Sequence, residues 1–269
     1  MEHRAVDFDE FAIRAALGGL PLGGLRVLST IGSTNDEALA WAAEGGADLS
    51  VVIADEQTAG RGRLGRIWLT PRGTAIAVSV ILRGPSDPLP HYSRLAGLGA
   101  MAVADACRSM GLQASIKWPN DILVEGRKLA GVLVEAAWTG AALEAAVIGI
   151  GINVLEASGP PPESVRYPAT SMETSLGRPP IRAEVLRELL SALITWRTKL
   201  DSDEFIAAWE KRLAWRGRQV ALLRDGQPPV RGKLSGLAPD GSLKILHEGR
   251  LLEVSMGELQ LLRTDDGSH

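Results

Sequence analysis

The sequence has a single cysteine, Cys107, in 269 residues, so no disulfide can form within the chain and a reducing compartment is the natural reading. That cysteine lies in an apolar helical pattern and is expected only to pack. No apolar stretch reaches about 18 residues without a polar break, which excludes a transmembrane helix. The N-terminus opens Met-Glu-His-Arg and then alternates acidic with apolar residues, the wrong charge and pattern for a signal peptide. Positive charge is not in excess: 29 Lys and Arg stand against 32 Asp and Glu, a net charge of −3. Phosphate-dominated nucleic-acid binding usually shows instead as a basic domain or stripe. No repeat or low-complexity tract stands out. What remains is a cytoplasmic, enzyme-like chain whose 45% hydrophobic and 23% charged residues can bury a sizeable core, in one large domain or a large and a small one.

Phe8, Phe11, Ile13 and Leu17 recur at roughly helical spacing, and Gly18-Gly19 ends that element. Leu25 to Leu28 reads as a strand. Ser33-Thr34-Asn35-Asp36-Glu37 then offers N-cap candidates with a following carboxylate, opening a helix from Glu37 to Ala43. Val51 to Ala54 and Ala75 to Leu82 are apolar enough to be central strands, and His91 to Met110 repeats apolar residues at helical spacing up to Gly111. Ser115 to Trp118, Ile122 to Glu125, Leu129 to Ala137 and Leu143 to Ile150 follow as strands, joined by the turn-like Glu125-Gly126-Arg127-Lys128 and Thr139-Gly140. Glu156 to Ser171, with Gly159-Pro160-Pro161-Pro162, is a long loop of the kind that is more often functional than accidental. Ile181 to Leu200 and Glu204 to Trp215 predict amphipathic helices. From Arg218 short strands broken by Asp225-Gly226, Pro239-Asp240-Gly241 and Glu248-Gly249 predict a small antiparallel barrel. The boundary falls near Gly217, dividing residues 1–216 from 217–269.

Chemistry is concentrated in a few places. Gly60-Arg61-Gly62-Arg63-Leu64-Gly65-Arg66 sets arginines among glycines just after an apolar segment. Backbone that can approach a ligand closely thus carries guanidinium groups able to fork onto carboxylate or phosphate oxygens. An anionic ligand is implied. Lys117-Trp118-Pro119-Asn120-Asp121 gathers a cation, an amide and a carboxylate around a proline that fixes one backbone angle and pushes Trp118 toward an extended conformation. Asn and Asp after Pro are also common turn formers. Lys117 and Lys128 tip the reading toward a site, because Lys128 opens the apolar run Leu129-Ala130-Gly131-Val132-Leu133-Val134, where an unpaired ammonium would be costly. Gly149-Ile150-Gly151-Ile152-Asn153 ends the last long strand. Glycines there mark close approach of backbone or ligand, and Asn153 can cap a turn or touch a ligand. Ser33-Thr34-Asn35 is open in the same way, between capping a helix and meeting a small polar ring. His91, Lys244 and His247 read as surface residues, and Trp41, Trp138, Trp196, Trp209 and Trp215 as packing residues.

Gly60, Gly62 and Gly65 formally satisfy GxGxxG, but that dinucleotide fingerprint requires glycines that close a strand and open a helix. Here Asp55 to Ala59 separate strand from glycines, and Ile67-Trp68-Leu69 and another strand follow. The intervening arginines would also crowd a pyrophosphate. An arginine-rich nucleic-acid contact with Trp68 as a stacking platform is disfavoured as well, since Asp55 and Glu56 leave no basic track.

In this order, Ser33-Thr34-Asn35, Glu56 to Arg63, Lys117 to Asp121, Arg127 to Gly131 and Gly149 to Asn153 resemble the motifs of the biotin protein ligases, enzymes that attach biotin to a lysine of carboxylase carrier domains. The match spans most of the first 155 residues. The resemblance implies an α+β fold of the class II synthetase-like biotin/lipoate ligase kind: a central mixed β-sheet with its flanking helices on one side, and a small C-terminal SH3-like β-barrel. It implies an ATP-dependent, AMP-forming ligase that makes biotinyl-5′-AMP and passes the biotinyl group to a lysine of a biotin carboxyl carrier domain.

On the family pattern Lys128 and Arg63 are catalytic. Biotin is held by Ser33, Thr34, Asn35, Gln57, Gly60, Arg61, Gly62, Arg63, Lys128, Gly131 and Gly149. ATP is held by Arg63, Arg66, Lys117, Asn120, Asp121, Lys128 and Asn153. Mg²⁺ is expected with the triphosphate, its ligands unassigned, and Tyr167 lies near where an aromatic would cover the adenine. Loop 60 to 66 would be mobile without ligand and ordered around the adenylate, shielding it from water. Some members carry an N-terminal helix-turn-helix repressor domain; only about thirty residues precede Ser33, too few for one, so DNA is not an expected partner, and without a long apolar stretch neither is a membrane. A homodimer stays open. The alternatives are a lipoate or octanoate ligase or transferase acting on a similar carrier lysine, and a catalytically silent biotin- or nucleic-acid-binding module. Ser33, Thr34, Asn35 and Gln57 favour a ureido head over an alkyl chain.

Overall fold

The nearly all-apolar runs become the strands of one sheet. In this computed structural model, which describes residues 8–83, 92–139, 142–158, 168–224 and 226–262, those strands are β1 (Gly24–Leu28), β2 (Ser50–Ala54), β3 (Ala75–Leu82), β4 (Ala114–Lys117), β5 (Asp121–Val124), β6 (Arg127–Thr139) and β7 (Ala142–Asn153). They form a seven-stranded sheet in the order β1-β2-β3-β7-β6-β5-β4. β1 and β2 run parallel and all other neighbours antiparallel, so the sheet is mixed. β2 and β3 are buried at every position, the property that makes a strand read as continuously apolar when both of its faces are covered.

Those two faces are covered unequally. Val51, Ile53, Ile76, Val78 and Val80 join the main core with α1 (Glu10–Leu17), α3 (Tyr92–Ser109) and α5 (Arg182–Arg197), whereas Val52, Ile81 and Val147 point the other way, onto Ala38 and Ala42 of α2 (Thr34–Ala43). The expectation of helices on one side alone is therefore corrected: α2 lies on the opposite face. Its alanines bring it close to the strands, and the part of that face it leaves uncovered, over β6 and β7, is open for a site.

Helix ends differ from the periodicity for local reasons. The second C-terminal helix, α6 (Asp203–Lys211), stops before the predicted Trp215, whose φ of 64° is left-handed. A five-residue helix, α4 (Met172–Leu176), was too short to register as a period; Ser171 caps it and Gly177 ends it at φ 70°. Within the predicted loop Glu156 to Ser171, a 3-10 turn spans Glu156–Ser158, while Gly159-Pro160-Pro161-Pro162 and Tyr167 lie outside the described residues, as do His91 and the Gly140 half of the predicted Thr139-Gly140 turn.

β8 (Gln219–Arg224), β9 (Gln227–Leu237), β10 (Leu243–His247), β11 (Arg250–Val254) and β12 (Glu258–Leu261) form a separate antiparallel sheet in the order β11-β10-β9-β8-β12. It is keyed to the first. Buried Trp118 donates its indole N–H to the Gly241 carbonyl at 3.0 Å, and buried Arg94 donates to Leu200 O at 2.7 Å and Pro239 O at 2.8 Å. Trp118, one of the site-motif residues, thus serves the joint between the two sheets.

Candidate active site

Glycines hollow out the floor. In the β6–β7 ladder Gly131 faces Gly151 and Leu133 faces Gly149, leaving a depression in an otherwise well-filled sheet beneath a cavity of about 1230 Å³. A Cβ added at Gly149 would overlap the Asn35 amide, and one at Gly151 the Trp68 indole; at Gly131 it would meet Lys128 Nζ and the Trp68 ring at 3.4 Å. The missing side chains are the room that other groups use.

One end of the cavity is polar and nearly neutral. Gln57 Oε1 accepts from the Thr34 amide at 2.9 Å and from its hydroxyl at 3.0 Å, while Gln57 Nε2 donates to Thr70 Oγ1 at 3.1 Å. Ser79, buried in β3, donates to Asn35 Oδ1 at 2.6 Å, and Asn35 Nδ2 donates to Glu135 Oε2 at 2.6 Å. Ser33 occupies the N-cap position of α2 but its side chain makes no capping bond. The capping alternative for this motif is thereby set aside, and Ser33, Thr34 and Asn35 face the cavity instead.

The other end is cationic. Lys128 Nζ lies 2.5 Å from Asp121 Oδ1 and 5.5 Å from the centre of the Trp68 ring; Lys117 Nζ is 3.3 Å from Asp121 Oδ2 and 3.9 Å from Glu258 Oε1. The β5–β6 ladder that carries Asp121 and Lys128 has a register shift between Ile122 and Leu123. Arg63 donates to Asn120 Oδ1 at 3.1 Å and to the Gly257 carbonyl at 3.4 Å, and Asn120 donates to Val132 O at 2.7 Å. Arg63 and Lys128 converge through the adjacent residues Asn120 and Asp121. Burial pulls the Arg63 pKa below the usual arginine value, opposed by Asp121 and Glu258; at so high a starting value the group stays charged.

Burial alone would raise the Asp121 pKa, but Lys128 and Lys117 outweigh it and hold this carboxyl below the ordinary 3.8. A carboxylate whose folded value is depressed stabilises fully above its unfolded value and loses that contribution as pH falls through the folded one. Thermal melts between about pH 5 and about pH 3 should therefore show a steeper acid loss in the wild type than in Asp121→Asn. Equal slopes would remove Asp121 from the acid response.

The glycine–arginine loop forms one wall. Gly62 N donates to Arg66 O at 2.7 Å, closing a tight turn in which Leu64 has φ 58° and Gly65 φ 71°. Arg61 grips Asp36 with both Nη groups, at 2.5 and 2.7 Å, and Arg66 pairs with Glu258 of β12. That fork from Arg61 draws the Asp36 pKa below its ordinary value against the effect of burial. Leu64 and Ile67 are exposed.

The order of these motifs has relatives. Residues 27–153 match the model of the biotin/lipoate A/B protein ligase family. The biotin–(acetyl-CoA-carboxylase) ligase of Mycobacterium tuberculosis is 35% identical over 268 residues, covering 95% of this chain and 96% of that one. The chain belongs to the biotin/lipoate A/B protein ligase family. The ligase of the same name from Paracoccus denitrificans is 34% identical over 229 residues, covering 81% of this chain and 92% of that one. Among solved structures, the biotin protein ligase from Aquifex aeolicus in complex with biotin and ATP superposes with a TM-score of 0.76 at 30% identity, covering 90% of this chain and 99% of that one.

Set out in this ligase fold, the residues singled out from the sequence line a single cavity: Ser33, Thr34, Asn35, Gln57, Arg61, Gly62, Arg63, Arg66, Lys117, Asn120, Asp121, Lys128, Gly131, Gly149 and Asn153. Gly60 does not line it; its carbonyl accepts from Trp68 N at 2.9 Å, and its bare Cα admits the Trp68 backbone. Asn153 is buried and donates to Thr170 O at 3.1 Å, so it ties down the following segment at the cavity's edge. Sequence reasoning missed Ser79, Glu135 and Glu258, and met Trp68 only as a nucleic-acid stacking platform that it set aside. A lone hydroxyl in Ala75 to Leu82 and a lone carboxylate after Leu133-Val134 were visible signals, since either is costly in an apolar strand unless bonded. Glu258 carried no local signal, because its partners Arg66 and Lys117 lie far away in the chain.

Proposed function

We propose that the protein activates biotin with ATP and transfers the biotinyl group to a lysine of a biotin carboxyl carrier domain. The observation that carries this reading is one cavity with a neutral hydrogen-bonding end and a cationic end that holds Lys128. Donors and acceptors on Thr34, Asn35 and Gln57 suit a ureido ring, while Arg63, Arg66, Lys117 and Lys128 suit a carboxylate meeting phosphates.

Bringing those anions together and stabilising the charge that grows on phosphorus is the main barrier, and fixed cations in a partly dry site lower it. A biotin carboxylate oxygen attacks the α-phosphorus and pyrophosphate leaves; then the carrier's lysine amine attacks the acyl carbon and AMP leaves. Lys128 sits where both reactants meet, and Arg63 reaches the phosphate from the loop. In the ligand-free site Asp121 keeps Lys117 and Lys128 from facing each other uncompensated, and incoming phosphates compete for them. Mg²⁺ would arrive on the triphosphate: among the described residues no group of three His, Cys, Asp or Glu side chains converges to hold a metal, and a metal bound mainly by phosphates and water needs few protein ligands. Residues 217–269 act as a domain of their own whose β12 steadies the loop. The setting is the cytoplasm; among the described residues no helix is long and apolar enough to cross a membrane.

Mixing the protein with ATP and biotin should release pyrophosphate, and adding an acetyl-CoA carboxylase carrier domain should yield a streptavidin-reactive product. Lipoate in place of biotin should neither release pyrophosphate nor raise the melting temperature. Pyrophosphate release with lipoate alone would reverse the assignment, and none with either would leave a binding module.

A further inference from the structure

Glu135 does not line the cavity, yet it touches both the neutral end and the loop. It stands on β6 opposite Val147 of β7, beside the N-terminus of α2. Its Oε2 accepts from Asn35 Nδ2 at 2.6 Å, and Arg61 Nη2 spans both carboxylate oxygens at 3.2 and 3.3 Å. Asn35 is held from the other side as well, its Oδ1 accepting from Ser79 at 2.6 Å, so its amide has a single orientation. Arg61 in turn forms the base of the glycine–arginine loop, bridging to Ile67.

We propose that Glu135 is a positioning residue that couples occupancy of the neutral end to closure of the loop, a proposal that rests on reading that end as biotin's. A partly exposed ion pair on its own contributes little. Here one carboxylate is shared between a side chain that faces the ligand and the arginine that starts the loop. A ligand that packs against Asn35 adds to the hold of its amide on the carboxylate, and the carboxylate holds Arg61. By reciprocity, a closed loop holds Asn35 ready for the ligand. Asp36, gripped by the same guanidinium but bonded to none of the polar floor, anchors the loop without carrying this coupling.

The test is limited trypsinolysis at Arg61, Arg63 and Arg66, with and without saturating biotin, alongside thermal shift. In the wild type biotin should raise the melting temperature and slow cleavage. Glu135→Gln keeps the shape but removes the charge and puts a donor NH₂ in place of one of the two oxygens that face Arg61, so its hold on Arg61 weakens; it should still show a biotin shift while losing about fivefold or more of the protection. Asp36→Asn should be cut faster overall yet keep the biotin-dependent protection. Should Glu135→Gln not fold, Arg61→Lys, which cannot fork across Asp36 and Glu135, takes its place with the same expected loss. Protection by saturating biotin equal to the wild type's in the variant used, or no protection in a wild type that binds biotin, overturns the coupling. Absence of any biotin shift in the wild type instead overturns the reading of the site.

Discussion

Lys128→Ala is expected to lower kcat/KM for biotin- and ATP-dependent pyrophosphate release by about a thousandfold, the scale of losing one preorganised charge at a reacting centre. Lys128 is only partly exposed, lies 2.5 Å from Asp121, and has the glycine floor at Gly131 beside it, so the variant removes the cation next to the floor of the cavity. The same substitution leaves the largely buried Asp121 with one fewer partner, and the melting temperature should fall as well. Lys128→Arg separates the two effects: it restores a charge for Asp121, and with it stability, but its planar fork does not reproduce a point charge in a gap sized for an ammonium. A variant that is stable yet still catalyses within about tenfold of the wild type would shift the catalytic burden onto Arg63.

Gly149→Ala and Gly151→Ala differ by one methyl each and sit two residues apart on β7, yet they should behave differently. At Gly149 the new Cβ runs into the Asn35 amide, which cannot step aside because Ser79 and Glu135 hold both of its ends. Overpacking of this kind costs about 1–3 kcal/mol of stability. Any displacement of Asn35 that relieves it leaves buried donors and acceptors unpaired, so biotin affinity should fall about tenfold or more. At Gly151 the new Cβ meets the Trp68 indole, whose buried Nε1 has no hydrogen-bond partner among the described residues and which follows the loop in the chain. That ring can swing out at little cost. Gly151→Ala should thus leave the melting temperature within about 1 kcal/mol of the wild type and act on loop seating, read as a change in tryptophan fluorescence and faster tryptic cleavage. Equal loss of stability in the two variants would mean that Trp68 is as fixed as Asn35.

How much of this was legible beforehand follows from how far apart the interacting residues lie. β3 at Ala75–Leu82 matched the apolar run residue for residue, and β2 and β5 came within a position or so at each end, because burial on both faces leaves mostly apolar side chains and the turn residues between them are local. Membership of a biotin ligase-like family was legible too, since each of the ordered motifs is a short run whose chemistry shows without partners. The placement of α2 on the opposite face was not, because a short alanine-rich helix is equally compatible with either side.

The sequence by itself determined the strands, the cation and glycine motifs, and the class of ligand they suit, all of which depend on neighbours along the chain. Only the tertiary structure decided that Lys128 answers to Asp121 across a shifted register, that Glu135 joins Asn35 to Arg61, and that Glu258 from the last strand closes on Arg66. Electrostatic and hydrogen-bonded pairing depends on distance in space, and a linear pattern records a charge without recording what it will face.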